Sequence, residues 1–129
     1  MTKKKILIVD DESYIIDAMR ARLEFLGYEV LDANDGVAGL NRARTENPDL
    51  IILDIIMPKM HGFEVCRKLK EDPKTEKIPI IIITGAGLED VAKNEPDIKA
   101  EAFISKPYDS KKFVELVGKI IEKGEKYGG

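Results

Sequence analysis

Residues 5–12 read KILIVDDE, an apolar run, Ile6–Val9, that ends on three consecutive acids, Asp10, Asp11 and Glu12. A short unbroken run of branched apolar residues bounded by charge reads as a strand buried on both faces. Like charges placed close together at its tip repel one another, so the arrangement needs a reason that the rest of the chain must supply.

Working outward, the period changes at Ser13. Ile15, Ile16, Met19, Leu23 and Leu26 fall on one helical face, and Gly27 follows as a stop. Tyr28–Ala33 reads as a second strand, closed by the turn signal Asn34-Asp35-Gly36. Val37, Leu40 and Ala43 form the next helical stripe, which ends before Asn47-Pro48. Leu50–Leu53 is a third strand, Ile55–His61 a proline-containing loop, Gly62–Glu71 a helix and Ile78–Ile83 a fourth strand. Leu88–Asn94 suggests a short fourth helix, interrupted by Pro96. Ala102–Ser105 is a fifth strand, and Phe113, Leu116, Val117, Ile120 and Ile121 stripe a fifth helix. The tail Lys123–Gly129 is polar and glycine-containing and is expected to fray.

Strand and helix thus alternate five times, and the strands are apolar throughout. That pattern predicts an α/β fold: a doubly wound, five-stranded parallel sheet in the order 2-1-3-4-5 with helices on both faces. No internal repeat or linker breaks the chain, so residues 1–129 read as a single domain with a core over about 4–122 and a polar C-terminal tail.

Composition excludes several functions. The net charge is −3, from 21 basic and 24 acidic residues, so no basic surplus is present to hold a nucleic-acid backbone directly. One cysteine, Cys66, and one histidine, His61, allow neither a disulfide framework nor a Cys/His metal cluster. The apolar runs fall far short of the ~20 residues that span a bilayer, and the start is too short for a signal peptide. A soluble cytoplasmic protein without membrane contact is expected.

In a sheet of this order the ligand crevice opens at the carboxyl ends of strands one and three. Asp10 and Asp11 end the first and Asp54 ends the third. Three convergent carboxylates suit a hard divalent cation, Mg²⁺. Thr84 ends strand four and Lys106 ends strand five. A hydroxyl and an ammonium facing a cation-loaded carboxylate suit an incoming phosphoryl group. Asp54 is the candidate nucleophile, because the adjacent pair Asp10 and Asp11 is better placed to hold metal. Capping of the first helix by Asp11 or Ser13 is the bland alternative for the first acids, but it leaves Asp54, Thr84 and Lys106 unexplained.

At this point the chain resembles the receiver domain of two-component response regulators, the chemotaxis-regulator-like family of flavodoxin-like fold. The matching pieces are ILIVDDE, LIILDIIMPKMHG, IIIIT and FISKPY, and they extend over Lys4–Glu122. The resemblance implies a phosphorylation-dependent signalling switch in which Asp54 takes phosphate from a histidine kinase. Asp10 and Asp11 then serve Mg²⁺ with Asp54, joined by the backbone carbonyl of Ile56. Thr84 is the switch hydroxyl, Phe103 the switch aromatic, and Lys106 the residue that neutralises the phosphate. Lys106-Pro107 is expected to be cis. A downstream protein is expected to dock on the face of the fourth helix, fifth strand and fifth helix. Such a domain is not a turnover enzyme, although its own site catalyses phosphate transfer and loss.

The chain departs from the family pattern in three places. Ile56 and Ala86 stand where many relatives carry polar side chains beside the phosphate, which implies slow self-dephosphorylation. Pro96 cuts the fourth helix. No output domain follows, which implies either docking onto another protein or excision from a longer one.

Other residues carry blander readings. His61 reads as an exposed loop residue rather than a phosphorelay histidine, and Cys66 as core. Gly85 and Gly87 read as loop, since no phosphate-loop lysine and serine follow. Met57, Pro58 and Gly62 read as a shaped turn holding the Asp54 loop. The competing functions are a binding module without the chemistry, a Mg²⁺-dependent phosphohydrolase and a flavin protein. The first conflicts with the intact acids, Thr84 and Lys106. The second commonly places another aspartate where this chain has Ile56. The third conflicts with an acidic crevice that repels a flavin phosphate.

Overall fold

In the computed structural model, which describes residues 3–55, 61–85 and 98–127, the apolar runs form the strands β1 (Lys5–Val9), β2 (Glu29–Ala33), β3 (Leu50–Asp54), β4 (Ile80–Thr84) and β5 (Ala102–Ser105). They make one parallel sheet in the order β2-β1-β3-β4-β5. The helices are α1 (Ser13–Phe25), α2 (Gly36–Glu46), α3 (Gly62–Glu71) and α4 (Ser110–Tyr127), the last being the fifth helix expected from the sequence.

Alternation along each strand feeds two cores. Leu7, Val9, Ile51, Leu53, Ile80 and Ile82 face Leu40 and Ala43 of α2 and Val65, Cys66 and Leu69 of α3. Ile6, Ile8, Leu50, Ile52, Ile81 and Ile83 face Met19 and Leu23 of α1 and Phe113 and Val117 of α4. Along the central strands β3 and β4 every side chain therefore leaves water whichever way it points, at roughly 25 cal/mol per Å² of apolar surface. That is why β3 and β4 carry no alternation with polar residues. Helix α2 approaches β1 closely because position 39 is glycine. A Cβ there would stand 2.9 Å from the Val9 side chain.

The helix boundaries correct several expectations. Neither Asp11 nor Ser13 caps α1. Glu12 is the N-cap residue, and no side chain bonds the first turn. Leu26 follows the helix and is 49% exposed, and Val37 is 44% exposed, so neither belongs to a buried stripe. Both sit at helix ends, where the chain turns away from the core. The tail expected from Lys123 onward is part of α4, which runs to Tyr127. Gly27 does end the α1 segment, with a φ of 97° that a side chain would strain, and Asn47 adopts the left-handed conformation after α2. The Lys106-Pro107 bond is cis. The expectations for Ile56, Met57, Pro58, Ala86, Gly87, Leu88–Asn94 and Pro96 lie outside the described residues. Among the described residues no helix is long and apolar enough to cross a membrane.

Candidate functional site: an acidic crevice closed by a lysine

Parallel register brings the strand ends level. Val9 pairs with Leu53, Asp54 with Ile83, and Thr84 with Ser105. The residues at or just past those ends, Asp10, Asp54, Thr84 and Lys106, therefore share one edge. Three backbone bonds continue the sheet beyond the strands: Asp10 N–H to the Ala33 carbonyl, Ile55 N–H to Ile83 and Lys106 N–H to Thr84. These bonds tie the backbone of the site to the sheet.

Asp10, Asp54 and Thr84 are buried. Lys106 reaches over them: its Nζ lies 3.4 Å from Asp54 Oδ2 and 3.6 Å from Asp10 Oδ2. A third carboxylate joins them from the loop before α1, with Glu12 Oε1 also 3.6 Å from Nζ. Asp11 is exposed, yet Asp10, Asp11, Glu12 and Asp54 each present an oxygen within 4.8 Å of the others. One ammonium thus faces three carboxylates at contact distance, and a fourth lies close by.

The electrostatics follow from this crowding. Burial pushes the Asp10 carboxyl above its ordinary value, and the negative charge of Asp54 adds to that. The Glu12 N–H on Asp10 Oδ1, at 2.9 Å, and the Lys106 ammonium oppose it. For Lys106, burial alone would lower the value. Asp10, Asp54 and Glu12 together outweigh it, and the ammonium is held above its ordinary range. The donor set is oxygen only, strongly negative and short of positive charge, which is the chemistry of a hard divalent cation site.

The loop after β3 is shaped by Gly62. A Cβ at that position would stand 2.5 Å from the Asp54 carbonyl oxygen and 2.5 Å from Ile55 Cα. The Gly62 N–H bonds the Ile55 carbonyl at 2.7 Å, so α3 starts directly against the Asp54 backbone. His61 is exposed, as expected, but it also caps α3: its ring Nδ1 accepts the Phe63 N–H at 3.3 Å. Phe103 is half-buried in β5 and packs against the core beneath α2 and α3. It also lines a groove with Ser105, Pro107, Tyr108, Phe113 and Leu116.

The fold brings Asp10, Asp11, Asp54 and Lys106 together, sets Thr84 on the same edge, and places Phe103 in β5 beside Ile82. Ile56 lies outside the described residues. Sequence reasoning missed Glu12 and Tyr14 as members of the site. Glu12 carried a signal, as the third acid of DDE. Tyr14 carried none, because its hydroxyl meets Glu12 only through the way α1 begins.

Comparison with known proteins agrees with this geometry. A family model described as the response regulator receiver domain matches residues 6–118. Over 122 residues the chain is 36% identical to the alkaline phosphatase synthesis transcriptional regulatory protein PhoP of Bacillus subtilis, covering 95% of this chain and 50% of that protein. It is 37% identical over 127 residues to a probable transcriptional regulator, ycf27, of Guillardia theta, covering 97% of this chain and 48% of that one. The chain therefore spans about half the length of these relatives. Among solved structures, a CheY-like receiver domain protein of Methanospirillum hungatei superposes with a TM-score of 0.89 at 31% identity, covering 97% of this chain and 98% of that one. The receiver domain of the sensor histidine kinase PA1611 of Pseudomonas aeruginosa, solved with a magnesium ion coordinated in its active site cleft, shares the fold at 23% identity and a TM-score of 0.86. That match covers 94% of this chain and 99% of that one. The sheet order, the acidic crevice and the match over residues 6–118 agree: this chain belongs to the response regulator receiver domain family of two-component signalling systems.

Proposed function

We propose that this receiver domain works by phosphorylation of Asp54, taking a phosphoryl group from the phosphohistidine of a histidine kinase. The observation that carries the reading is the position of Lys106 Nζ, which touches Asp54 and Asp10 together at the carboxyl edge of the sheet. An oxygen of Asp54 attacks phosphorus and forms the P–O bond. The P–N bond breaks, and the departing imidazole keeps the electron pair and takes up a proton from solvent. Lys106, already beside Asp54, is placed to offset charge on the transferring oxygens.

Asp10, Asp11 and Asp54, with the backbone carbonyl of Ile56, are the residues that would hold Mg²⁺. Bound there, Mg²⁺ would neutralise charge that the Lys106 ammonium leaves uncompensated. Thr84 then donates its hydroxyl to a phosphoryl oxygen, and Phe103 turns inward behind it. The face of β5 and α4, with the fourth helix expected from the sequence, would present the change to a downstream protein. With a net charge of −3 the domain itself does not read nucleic acid. In this reading it is a switch rather than a turnover enzyme, acting in the cytoplasm.

Intact mass after incubation with acetyl phosphate and Mg²⁺ tests the reading. The wild-type chain is expected to gain one phosphate only when Mg²⁺ is present, and Asp54→Ala none. A wild-type chain that gains nothing, or a variant that gains as much, overturns it.

A further inference from the structure

The third acid of the loop between β1 and α1 has no part in the chemistry above. Glu12 sits at the mouth of the crevice, its side chain 40% exposed where those of Asp10 and Asp54 are 3% and 6%. Both of its oxygens are engaged. Oε1 faces Lys106 Nζ at 3.6 Å, and Oε2 accepts the hydroxyl of Tyr14. Its backbone is fixed too. The N–H donates to Asp10 Oδ1, and the carbonyl accepts from Ile15 and Ile16 as α1 begins. The carboxylate is therefore held in place, with a phenol on its outer side and the ammonium on its inner side.

This placement gives Lys106 two competing attractions, Asp54 and Asp10 on the floor of the crevice and Glu12 at the mouth. A phosphoryl group arriving on Asp54 brings oxygens that need the ammonium. To serve them, Lys106 must loosen from Glu12, and the donor must pass the Glu12 charge on its way in. The second barrier, repulsion from Glu12, grows with the negative charge the donor carries.

We infer that Glu12, steadied by Tyr14, is a positioning residue for Lys106 that selects phosphoryl donors by charge and disfavours small dianionic ones. The inference rests on the reading of Asp54 as the phosphoryl acceptor. A kinase phosphohistidine presents its phosphoryl group on an imidazole, with less negative charge than a free acyl phosphate, and so passes Glu12 more readily.

The test is the rate of phosphate gain by intact mass at saturating Mg²⁺. Two donors are compared, acetyl phosphate, dianionic near neutral pH, and phosphoramidate, monoanionic there. The proteins are the wild-type chain, Glu12→Gln and Glu12→Asp, each checked for native circular dichroism. Glu12→Gln is expected to raise the acetyl phosphate rate relative to phosphoramidate by roughly twofold to fivefold, the scale of one partly exposed charge interaction. The gain is expected to shrink as salt is raised. Glu12→Asp, which keeps the charge, is expected to keep the wild-type ratio. A ratio unmoved in Glu12→Gln, while wild type still gains phosphate on Asp54, overturns this inference alone. Equal shifts in both variants assign the effect to shape and overturn it as well. A wild-type chain that accepts phosphate from neither donor overturns the reading of Asp54 and this inference with it.

Discussion

Asp10 shows how a single residue can be costly to the fold and still belong where it is. Its carboxyl is raised above 3.8, chiefly by burial, so the folded state binds its proton more tightly than the unfolded chain does. By linkage, stability falls as pH rises from 3.8 through the raised folded value, and the cost persists at neutral pH. Lys106 behaves oppositely. Raised above 10.5, it stabilises fully at neutral pH and loses that contribution only as pH climbs through its folded value. In the presence of a chelator, Asp10→Asn is expected to be more stable than wild type at neutral pH, by on the order of 1 kcal/mol. The amide oxygen can still accept the Glu12 N–H. Urea denaturation should show the gap closing as pH falls through the raised folded value and gone below 3.8; a gap that persists in acid would assign the effect to something other than the Asp10 charge. Gly62 makes the complementary point about shape. Gly62→Ala drives a methyl into the Asp54 carbonyl and is expected to cost roughly 1–3 kcal/mol, read as a lower urea midpoint with an unchanged m-value. An unaltered midpoint would mean that the start of α3 moves away freely.

Among the elements, the helices differ in how their starts are secured. Asp35 caps α2 by accepting the Ala38 N–H at 2.8 Å, and His61 caps α3 with its ring. Helix α1 has no side-chain cap and is anchored instead by the Glu12 backbone, which ties it to Asp10. The three starts therefore have different consequences. Asp35→Ala is expected to lower stability by about 1 kcal/mol and to leave phosphate gain on Asp54 unaffected, since α2 contributes no side chain to the crevice. Thermal unfolding followed by circular dichroism, beside the intact-mass assay, separates the two effects. A loss of phosphate gain at full stability would place α2 in the site.

For the whole molecule, the controlling feature is a sheet with a core on each face, so that local opening exposes apolar surface wherever it begins. Cys66 reports on this. It is buried under α3, and burial pushes its thiol up to about 11. Near neutral pH the native thiol is expected to resist iodoacetamide, with labelling appearing only at the denaturant concentration that unfolds the sheet. Rapid labelling in native buffer would reveal an opening of α3 well short of global unfolding.

The sequence by itself determined the strands, their parallel order, and Asp10, Asp54, Thr84 and Lys106 as the residues at the strand ends. The strands and the residues at their ends are local features, and the parallel order follows from the alternation of strand and helix along the chain. An unbroken apolar run means burial on two faces, and a charge directly after it must lie at an edge, whatever the rest of the chain does. Only the tertiary structure decided which groups meet. Lys106 and Asp54 are 52 positions apart in the chain and touch because register levels β3 and β5 through β4. The Glu12 bridge from Lys106 to Tyr14 depends on how the loop between β1 and α1 turns, and the contact of Gly62 with the Asp54 carbonyl on where α3 begins. Leu26 and Val37 matched a helical stripe in periodicity but ended up exposed, because a period records a helix face and not where the helix stops.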